Sequence, residues 1–314
     1  MTRFRVIVTD QVFPSIDLER QILAEIGAEI DVADGTSAGV SRLAMDADAL
    51  LTTYLPIGAD LISELRRCRV IARYGIGVDN IDLRAANEAG IVVTNVPNYC
   101  VEEVAVHAFA MILSLLRRLP AADAQVKAGG WGIDRLRPVP RLSELTFGLV
   151  GYGRIARRLA AGIDAFGGRL LVHDPFLVPA ADLPPLVTLD ELIHASDVIS
   201  IHAPATSETR GLFDAGRMAS MKPGALLVNT SRGPLVVLED LAEALRSGHL
   251  GGAALDVFER EPPAPEAIRD VPNLIVSPHM AYYSEPALAE SQRKAATQVV
   301  HVLSGRAPDY PVHA

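Results

Sequence analysis

A glycine-rich turn in the middle of the chain constrains its fold more than any other feature. The turn has the spacing G-x-G-x-x-A and consists of Gly151, Tyr152, Gly153, Arg154, Ile155 and Ala156. It follows an apolar run over residues 146–150 and opens a segment that places apolar side chains on one helical face: Ile155, Leu159, Ile163 and Phe166. A strand that enters a helix through such a turn is typical of a dinucleotide-binding βαβ unit.

The residues around this turn favour NAD over NADP. Gly151 permits the tight turn, and Gly153 lets backbone N–H groups approach a pyrophosphate at the start of the helix. Asp174 ends the next predicted strand, 23 residues after Gly151, where a carboxylate accepts hydrogen bonds from ribose hydroxyls and repels a 2′-phosphate. The two residues that follow it supply no arginine for such a phosphate. The alternative is a structural glycine turn without a ligand.

Short apolar runs alternate with amphipathic segments, as in parallel sheets covered by helices. Two series of strands are predicted, over residues 4–9, 49–53, 70–73 and 91–94, and over residues 146–150, 170–173, 198–201, 225–229, 252–257 and 274–277. A last helix over 288–303, with Ser284 as its N-cap, completes the first series. We therefore predict an α/β fold of two doubly wound parallel-sheet domains. A Rossmann NAD-binding domain, residues 99–284, is inserted into a flavodoxin-like substrate domain, residues 1–98 and 285–314, with hinges near Pro97 and Ser284 around a cleft.

Composition and charge narrow the range of partners. The 314 residues carry 29 basic and 38 acidic side chains, a net charge of -9, which disfavours nucleic acid and anionic membranes and favours a small molecule. Cys68 and Cys100 are far apart, which predicts neither a disulfide nor a metal site. Residues 2–8 already read as a strand with no export leader, and the most apolar stretch, 104–116, is too short to span a bilayer. We expect a cytoplasmic protein.

Between the two series lie a helix and an irregular arm. Residues 101–119 are apolar on nearly all sides, with Glu102 and Glu103 in the first turn, and predict a buried connecting helix. Residues 120–142 are rich in Gly, Pro and Arg around Trp131 and are predicted to be irregular. The arm either packs on a partner subunit or is a plain surface loop.

Polar side chains that can perform chemistry recur directly after strands of the second series. They are His202, Arg232, Asp256 with Glu261, and His279. In open parallel sheets this edge binds ligands, so their joint placement indicates a reactive site. Each alone has a simpler interpretation: Arg232 as a loop cation, Glu261 as a solvated turn acid and His279 as a buried histidine.

Several motifs, in order along nearly the whole chain, resemble those of the D-isomer-specific 2-hydroxyacid dehydrogenases. Besides the glycine turn they are RYGIGVDNID (73–82), NVPNYCVEEV (95–104), MKPGALLVNTSRG (221–233), ALDVFE (254–259) and SPH (277–279). The segment 279–285, HMAYYSE, is most similar to the branch that includes the C-terminal-binding proteins, with Tyr282 where tryptophan usually stands. The family usually pairs through its nucleotide domain, so the resemblance also implies a homodimer.

The resemblance implies hydride transfer between NADH and a small 2-keto acid at an Arg/Glu/His site. His279 would be the acid and base, held and kept charged by Glu261, while Arg232 would bind the substrate's carboxylate and keto oxygen. Backbone N–H groups of Ile76 and Gly77 would meet the same carboxylate. Asp256 would hold the nicotinamide end, Thr230, His202 and Pro204 the ribose side, and Thr209 the pyrophosphate; for these last four, loop structure without contact is the alternative.

Departures from related families refine the prediction. Formate dehydrogenases carry glutamine where Glu261 stands, so the acid favours keto-acid chemistry. The expected substrate loop around Tyr54 has no Lys or Arg to meet a phosphate. Together with Tyr282 this disfavours phosphoglycerate and predicts a short or apolar substrate side chain. His107, in the connecting helix, is interpreted as a structural or hinge residue. The competing function is an NAD(H)-sensing interaction or corepressor-like protein with little turnover.

Overall fold

The computed structural model describes residues 4–313, so the predicted start of the first strand before residue 4 lies outside the described residues. These residues divide into two units. Unit 1 comprises the chain up to Tyr99 together with the part from Ser284 onward, and unit 2 comprises Cys100–Tyr283.

Twelve strands form within the described residues. In chain order they are β1 Arg5–Val8, β2 Glu29–Val32, β3 Ala49–Thr52, β4 Val70–Arg73, β5 Val92–Thr94, β6 Thr146–Val150, β7 Arg169–His173, β8 Val198–Ile201, β9 Leu226–Asn229, β10 Gly252–Leu255, β11 Leu274–Val276 and β12 Pro311–Val312.

Twelve α-helices accompany them in the same part of the chain. They are α1 Asp17–Leu23, α2 Ser37–Ala44, α3 Ala59–Glu64, α4 Leu83–Glu88, α5 Val101–Leu116, α6 Leu119–Lys127, α7 Arg154–Ala165, α8 Leu189–Ala195, α9 Ala215–Ala219, α10 Leu238–Arg246, α11 Pro265–Ile268 and α12 Glu285–Leu303. Ser284 caps α12 as predicted, because its hydroxyl accepts the Ala287 N–H at 3.1 Å.

Unit 1 contains a sheet in the order β12-β5-β4-β3-β1-β2. Strands β1 to β5 are parallel and have the flavodoxin-like order, while β12 pairs antiparallel with β5. The sequence did not predict β2, whose residues are mostly exposed and give no apolar run. The predicted flavodoxin-like fold of this part of the chain is confirmed.

Unit 2 contains a second sheet, entirely parallel, in the order β11-β10-β9-β8-β6-β7. Leu186 makes a single parallel bridge with Val172 of β7. The third position of a Rossmann order is therefore reduced here to one bridge. Strands β7, β6, β8, β9 and β10 keep the order 2-1-4-5-6, and β11 adds a further strand at the edge. Strand β7 is added on one side of β6, and β8 and the later strands are added on the other side. This is the switch point at which such sheets bind ligands, so the predicted Rossmann fold is confirmed.

Helix α7 packs on this sheet through the apolar face that its sequence predicts, with one exception. Ala156, Leu159 and Ile163 are buried, and Ala156 is small enough for close approach to the strands. The prediction that Phe166 lies on the same buried face is wrong, since 62% of this residue is exposed. It caps the C-terminus of the helix, where the chain has already left the helical path, and its ring lies 5.9 Å from that of Phe109.

The connecting segment differs from its prediction. Helix α5 stops at Leu116 because Arg118 adopts a left-handed backbone conformation, and α6 starts at Leu119. Residues 120–127, predicted to be irregular, are therefore helical; Pro120 is tolerated because it lies in the first turn of α6. Helix α5 buries most of one side, but Val106 is 59% exposed, so this helix is not covered on all sides as predicted.

Within the described residues no single helix is long and apolar enough to span a membrane. Helices α5 and α6 together reach the required length and apolar composition, but they are bent by 58° relative to each other.

Candidate functional site

The glycine turn after β6 needs its first glycine for steric reasons. Gly151 has φ 86°, and a Cβ there would lie 2.8 Å from the His202 carbonyl oxygen. At Gly153, by contrast, a Cβ would meet no atom within 4 Å. The open space lies at the N-terminus of α7, where backbone N–H groups and the helix dipole favour an anion. The turn therefore leaves open space where a pyrophosphate would approach the helix.

Asp174 stands at the end of β7 and is tied to the glycine turn. Its Oδ2 accepts the Tyr152 N–H at 2.9 Å, and its Oδ1 accepts the Phe176 N–H at 3.0 Å. The residue is only half-buried, and an ionised carboxylate has about four lone-pair directions, so acceptor capacity remains for ribose hydroxyls. Phe176 beside it is 91% exposed, and no arginine stands next to Asp174 in the chain. Both features fit NAD.

The remaining predicted cofactor residues fall into two groups. Thr230 is buried, and its Oγ1 has no hydrogen-bond partner, which is costly unless a ligand supplies one. Thr209 and His202, by contrast, already have protein partners. Thr209 donates to the Pro204 carbonyl at 2.7 Å and accepts the Thr206 N–H at 2.8 Å, so it folds its own loop. His202 Nε2 lies 2.9 Å from Ser200 Oγ, and burial lowers the pKa of His202 to about 4.

His279 and Glu261 form the reactive pair of unit 2. The His279 Nδ1 lies 2.8 Å from Glu261 Oε2, and Glu261 Oε1 accepts the Phe258 N–H at 2.9 Å. Burial opposes ionisation of Glu261, but these two hydrogen bonds and the charges of His279 and Arg232 outweigh it, so the pKa of Glu261 lies below its usual value. His279 also has φ 52°, which is uncommon outside glycine. The ring of Tyr282 stands edge-on to the imidazole, with centroids 6.2 Å apart.

Arg232 reaches the same region because Gly233 follows it. A Cβ at Gly233 would lie 1.9 Å from the Phe258 carbonyl carbon, so only glycine lets these two loops touch. The Arg232 carbonyl accepts a hydrogen bond from the Asn229 amide at 2.8 Å. The Arg232 guanidinium donates from Nη1 to the Ser231 carbonyl at 2.8 Å. The structure thus brings Arg232, Glu261 and His279 together within unit 2.

Asp256 has more protein partners than its predicted role required. Its carboxylate is fully buried and accepts the Met280 N–H on Oδ1 and the Ala281 N–H on Oδ2, both at 2.9 Å. The Ser277 hydroxyl also donates to Oδ1, at 2.5 Å. Asp256 therefore organises the turn that carries His279, a function that its position after β10 did not reveal.

In unit 1, the predicted substrate residues lie on two loops after strands. Asp10, which the sequence analysis did not single out, accepts the N–H groups of Thr53, Tyr54 and Leu55 at 2.9, 2.6 and 3.3 Å. An acid directly after the first strand is the signal that could have identified it. The Tyr54 side chain is 44% exposed, and the Ile76 carbonyl accepts the Asn95 amide at 2.7 Å.

A cation also ends β4, the strand that leads into the second of these loops. A Cβ at Gly75 would lie 1.4 Å from Nη1 of Arg73, so the guanidinium folds over the chain just before Ile76 and Gly77. Sequence reasoning matched Arg73 to a motif but gave it no role.

Comparison with known proteins places this geometry in a family. Residues 109–281 match the family described as D-isomer specific 2-hydroxyacid dehydrogenase, NAD binding domain. The chain belongs to the D-isomer-specific 2-hydroxyacid dehydrogenase family. This match confirms the predicted family and the predicted NAD-binding domain. The open space at Gly153, the half-buried Asp174 and the Thr230 hydroxyl without a hydrogen-bond partner fit NAD. Membership of the C-terminal-binding-protein branch stays a prediction.

Individual members of this dehydrogenase family cover the chain to different extents. D-3-phosphoglycerate dehydrogenase from Mycobacterium leprae is 36% identical over 90% of the chain but only 54% of its own length. The chain therefore spans about half the length of that relative. A solved protein from Thermus thermophilus is 37% identical, with a TM-score of 0.90, over 98% of this chain and 100% of its own. D-lactate dehydrogenase from Aquifex aeolicus, complexed with NAD and lactic acid, is 30% identical with a TM-score of 0.87, over 96% of both chains.

Proposed function

We propose that this chain is an NAD-dependent oxidoreductase that interconverts a small 2-keto acid and the corresponding D-2-hydroxy acid. The observation that carries the proposal is the 2.8 Å pair of His279 and Glu261 in the unit that also holds Arg232 and the glycine turn. The pair supplies a proton donor, and Arg232 supplies an anion-binding fork.

The roles of the residues follow from charge. NADH, when bound, supplies the hydride that reduces the carbonyl carbon. The keto oxygen then gains negative charge and needs a proton, which His279 donates from Nε2, because Nδ1 faces Glu261. Glu261, ionised at neutral pH, stabilises the protonated imidazole and fixes its orientation. In the reverse direction the neutral imidazole takes the hydroxyl proton.

Arg232 would bind the substrate carboxylate through two parallel N–H donors, which orients the keto carbon for hydride transfer. In unit 1 we propose that the Ile76 and Gly77 N–H groups and Tyr54 serve the substrate. Asp10 holds the backbone on either side of Tyr54 with three hydrogen bonds, which preorganises that loop.

A steady-state panel tests the proposal. The keto acids would be glyoxylate, hydroxypyruvate, pyruvate, longer apolar 2-keto acids and 3-phosphohydroxypyruvate, each with NADH and NADPH. We expect turnover with NADH and a preference for short or apolar side chains, because residues 53–57 carry no Lys or Arg. The phosphorylated acid belongs in the panel since relatives are named phosphoglycerate dehydrogenases and the Arg73 guanidinium lies against Gly75. Tight NADH binding with no turnover on any acid would favour the sensing, corepressor-like function instead.

We also propose a homodimer formed through unit 2. The segment from α6 onward exposes large apolar side chains: Leu119 by 54%, Val126 by 51%, Trp131 by 90% and Ile133 by 62%. An exposed apolar patch of this kind is typical of an interface. Light scattering should give twice the chain mass, and Trp131→Glu should shift it toward the monomer; an unchanged monomeric mass in both would identify a surface loop. We further propose a reducing, cytoplasmic compartment, because Cys68 and Cys100 are both buried and are not joined in a disulfide.

A further inference from the structure

Three side chains from separate parts of unit 2 form a hydrogen-bonded network that ends at the turn carrying His279. His107 lies on α5, and its Nε2 stands 3.0 Å from the Ser277 Oγ. Ser277 donates to Asp256 Oδ1 at 2.5 Å, and His107 itself is 3.7 Å from the same oxygen. The link joins a core helix to the residues just before His279.

The number of hydrogens available fixes which group donates in each hydrogen bond of this network. Asp256 accepts one backbone N–H group on each carboxylate oxygen, and the Ser277 hydroxyl donates its hydrogen to Oδ1. Because a serine hydroxyl has only one hydrogen, Ser277 Oγ must act as an acceptor toward His107, and Nε2 of His107 must carry the proton.

The turn that receives this support is strained. His279 has φ 52°, and its N–H donates to the Asp256 carbonyl at 2.8 Å. Such a conformation persists only where the surroundings over-determine it. The Asp256 carboxylate and carbonyl hold three consecutive N–H groups of the turn, those of His279, Met280 and Ala281. The side of Asp256 that the turn does not cover is met by Ser277 and His107.

We propose that His107 is a positioning residue for His279. Its Nε2–H orients the Ser277 hydroxyl, which orients Asp256, which holds His279 in the backbone conformation that aligns its imidazole with Glu261. In this proposal His107 acts through Ser277 and Asp256, by fixing their geometry. The proposal rests on the proposed function for the meaning of that alignment.

The test compares a donor-competent with a donor-deficient variant. His107→Gln keeps an N–H near the position of Nε2, whereas His107→Leu fills similar space without a donor. We expect His107→Leu to bind NADH within about threefold of the parent but to lose about 10- to 100-fold in kcat, the cost of a small misplacement of a reacting group. His107→Gln should recover most of that loss. Ser277→Ala should match His107→Leu, and the double variant should lose little more than either one, as members of one network do.

A matched control separates positioning from general destabilisation. His249 is a half-buried histidine of the same unit whose Nε2 lies 3.0 Å from the Met218 carbonyl, away from the turn. His249→Leu should lower Tm to a similar extent while kcat stays within twofold. Equal losses of kcat in both Leu variants, or a His107→Gln variant no better than His107→Leu, would overturn the proposal.

A second readout does not depend on turnover. In the whole 314-residue chain, the NMR signal of the His279 ring Cε1–H can be assigned by its loss in His279→Gln. We expect this signal to move in His107→Leu and Ser277→Ala and to return in His107→Gln. If the parent enzyme reduced no keto acid on the panel, the proposed function would fail, while this signal would still decide the positioning role. An unmoved signal in folded His107→Leu rejects that role.

Discussion

His279 presents its Nδ1 to Glu261 at 2.8 Å from a backbone held at φ 52°. The two facts belong together, because an ordinary backbone conformation at this position would aim the imidazole elsewhere. Left-handed conformations of a residue with a Cβ cost about 1 kcal/mol or more and cluster at functional sites. Here the fully buried Asp256 maintains the conformation through the neighbouring N–H groups.

The first prediction concerns the proton donor. His279→Gln should bind NADH normally but lose about 10²- to 10⁴-fold in kcat for keto-acid reduction, the usual contribution of a general acid. Fluorescence titration of NADH and steady-state kinetics measure the two quantities. The control is His194→Gln, since His194 is exposed on α8 and should retain the parental rate. Full keto-acid reduction by His279→Gln would show that another group supplies the proton.

The second prediction concerns pH. Glu261 is ionised at neutral pH because its pKa lies below the usual value, and its charge favours the protonated imidazole. Reduction needs protonated His279, so its rate falls as pH rises. In Glu261→Gln that favourable charge is gone, and the fall should occur at lower pH, whereas oxidation of the hydroxy acid, which needs the neutral imidazole, should extend to lower pH. Profiles of kcat/KM in both directions measure this; unshifted profiles would argue against the pairing.

Local patterns predicted the two parallel sheets and the NAD-binding domain. The glycine turn, Asp174 and the alternation of strands and helices are properties of short segments, so the two sheets and the strand-end positions of Arg232, Glu261 and His279 could be predicted without coordinates. The same reasoning missed β2, whose side chains are mostly exposed, and α6, which has no buried residue. Neither segment has the regular spacing of apolar residues on which such predictions depend.

The support of the site could not be predicted, because it is assembled from distant residues. His107, Asp256 and Ser277 meet only once α5 has packed beside β10, and each alone looks like an ordinary core or loop residue. The left-handed backbone of His279 has no sequence signal either, since glycine and asparagine are the residues that usually announce it. Asp10 carries a weak local signal, its position after the first strand, but the three N–H groups that it accepts belong to residues more than forty positions away.

A third prediction separates the two glycines of the cofactor turn. Gly151→Ala forces a Cβ to 2.8 Å from the His202 carbonyl at φ 86°, so it should cost about 1–3 kcal/mol in the free energy of unfolding. Gly153→Ala meets no atom within 4 Å, so stability should be unchanged. Its methyl group should instead occupy the pyrophosphate space and weaken NADH binding at least tenfold. Urea unfolding and NADH titration of both variants distinguish them, and parental NADH affinity in Gly153→Ala would place the pyrophosphate elsewhere.

The last prediction links His202 to stability in acid. Burial lowers the pKa of His202 to about 4, whereas in the unfolded chain it titrates near its usual 6.5. Between these values the unfolded chain binds the extra proton, so the stabilising contribution is complete above about pH 6.5 and is lost progressively as pH falls to 4. The contribution is at most about 3 kcal/mol, since His202 keeps some solvent exposure. In the cofactor-free protein, His202→Gln should therefore show a flatter dependence of unfolding free energy on pH between 4.5 and 7 than the parent, while His194→Gln should follow the parent. Parallel curves for His202→Gln and the parent would mean that His202 takes up its proton at the same pH in the folded and unfolded chain.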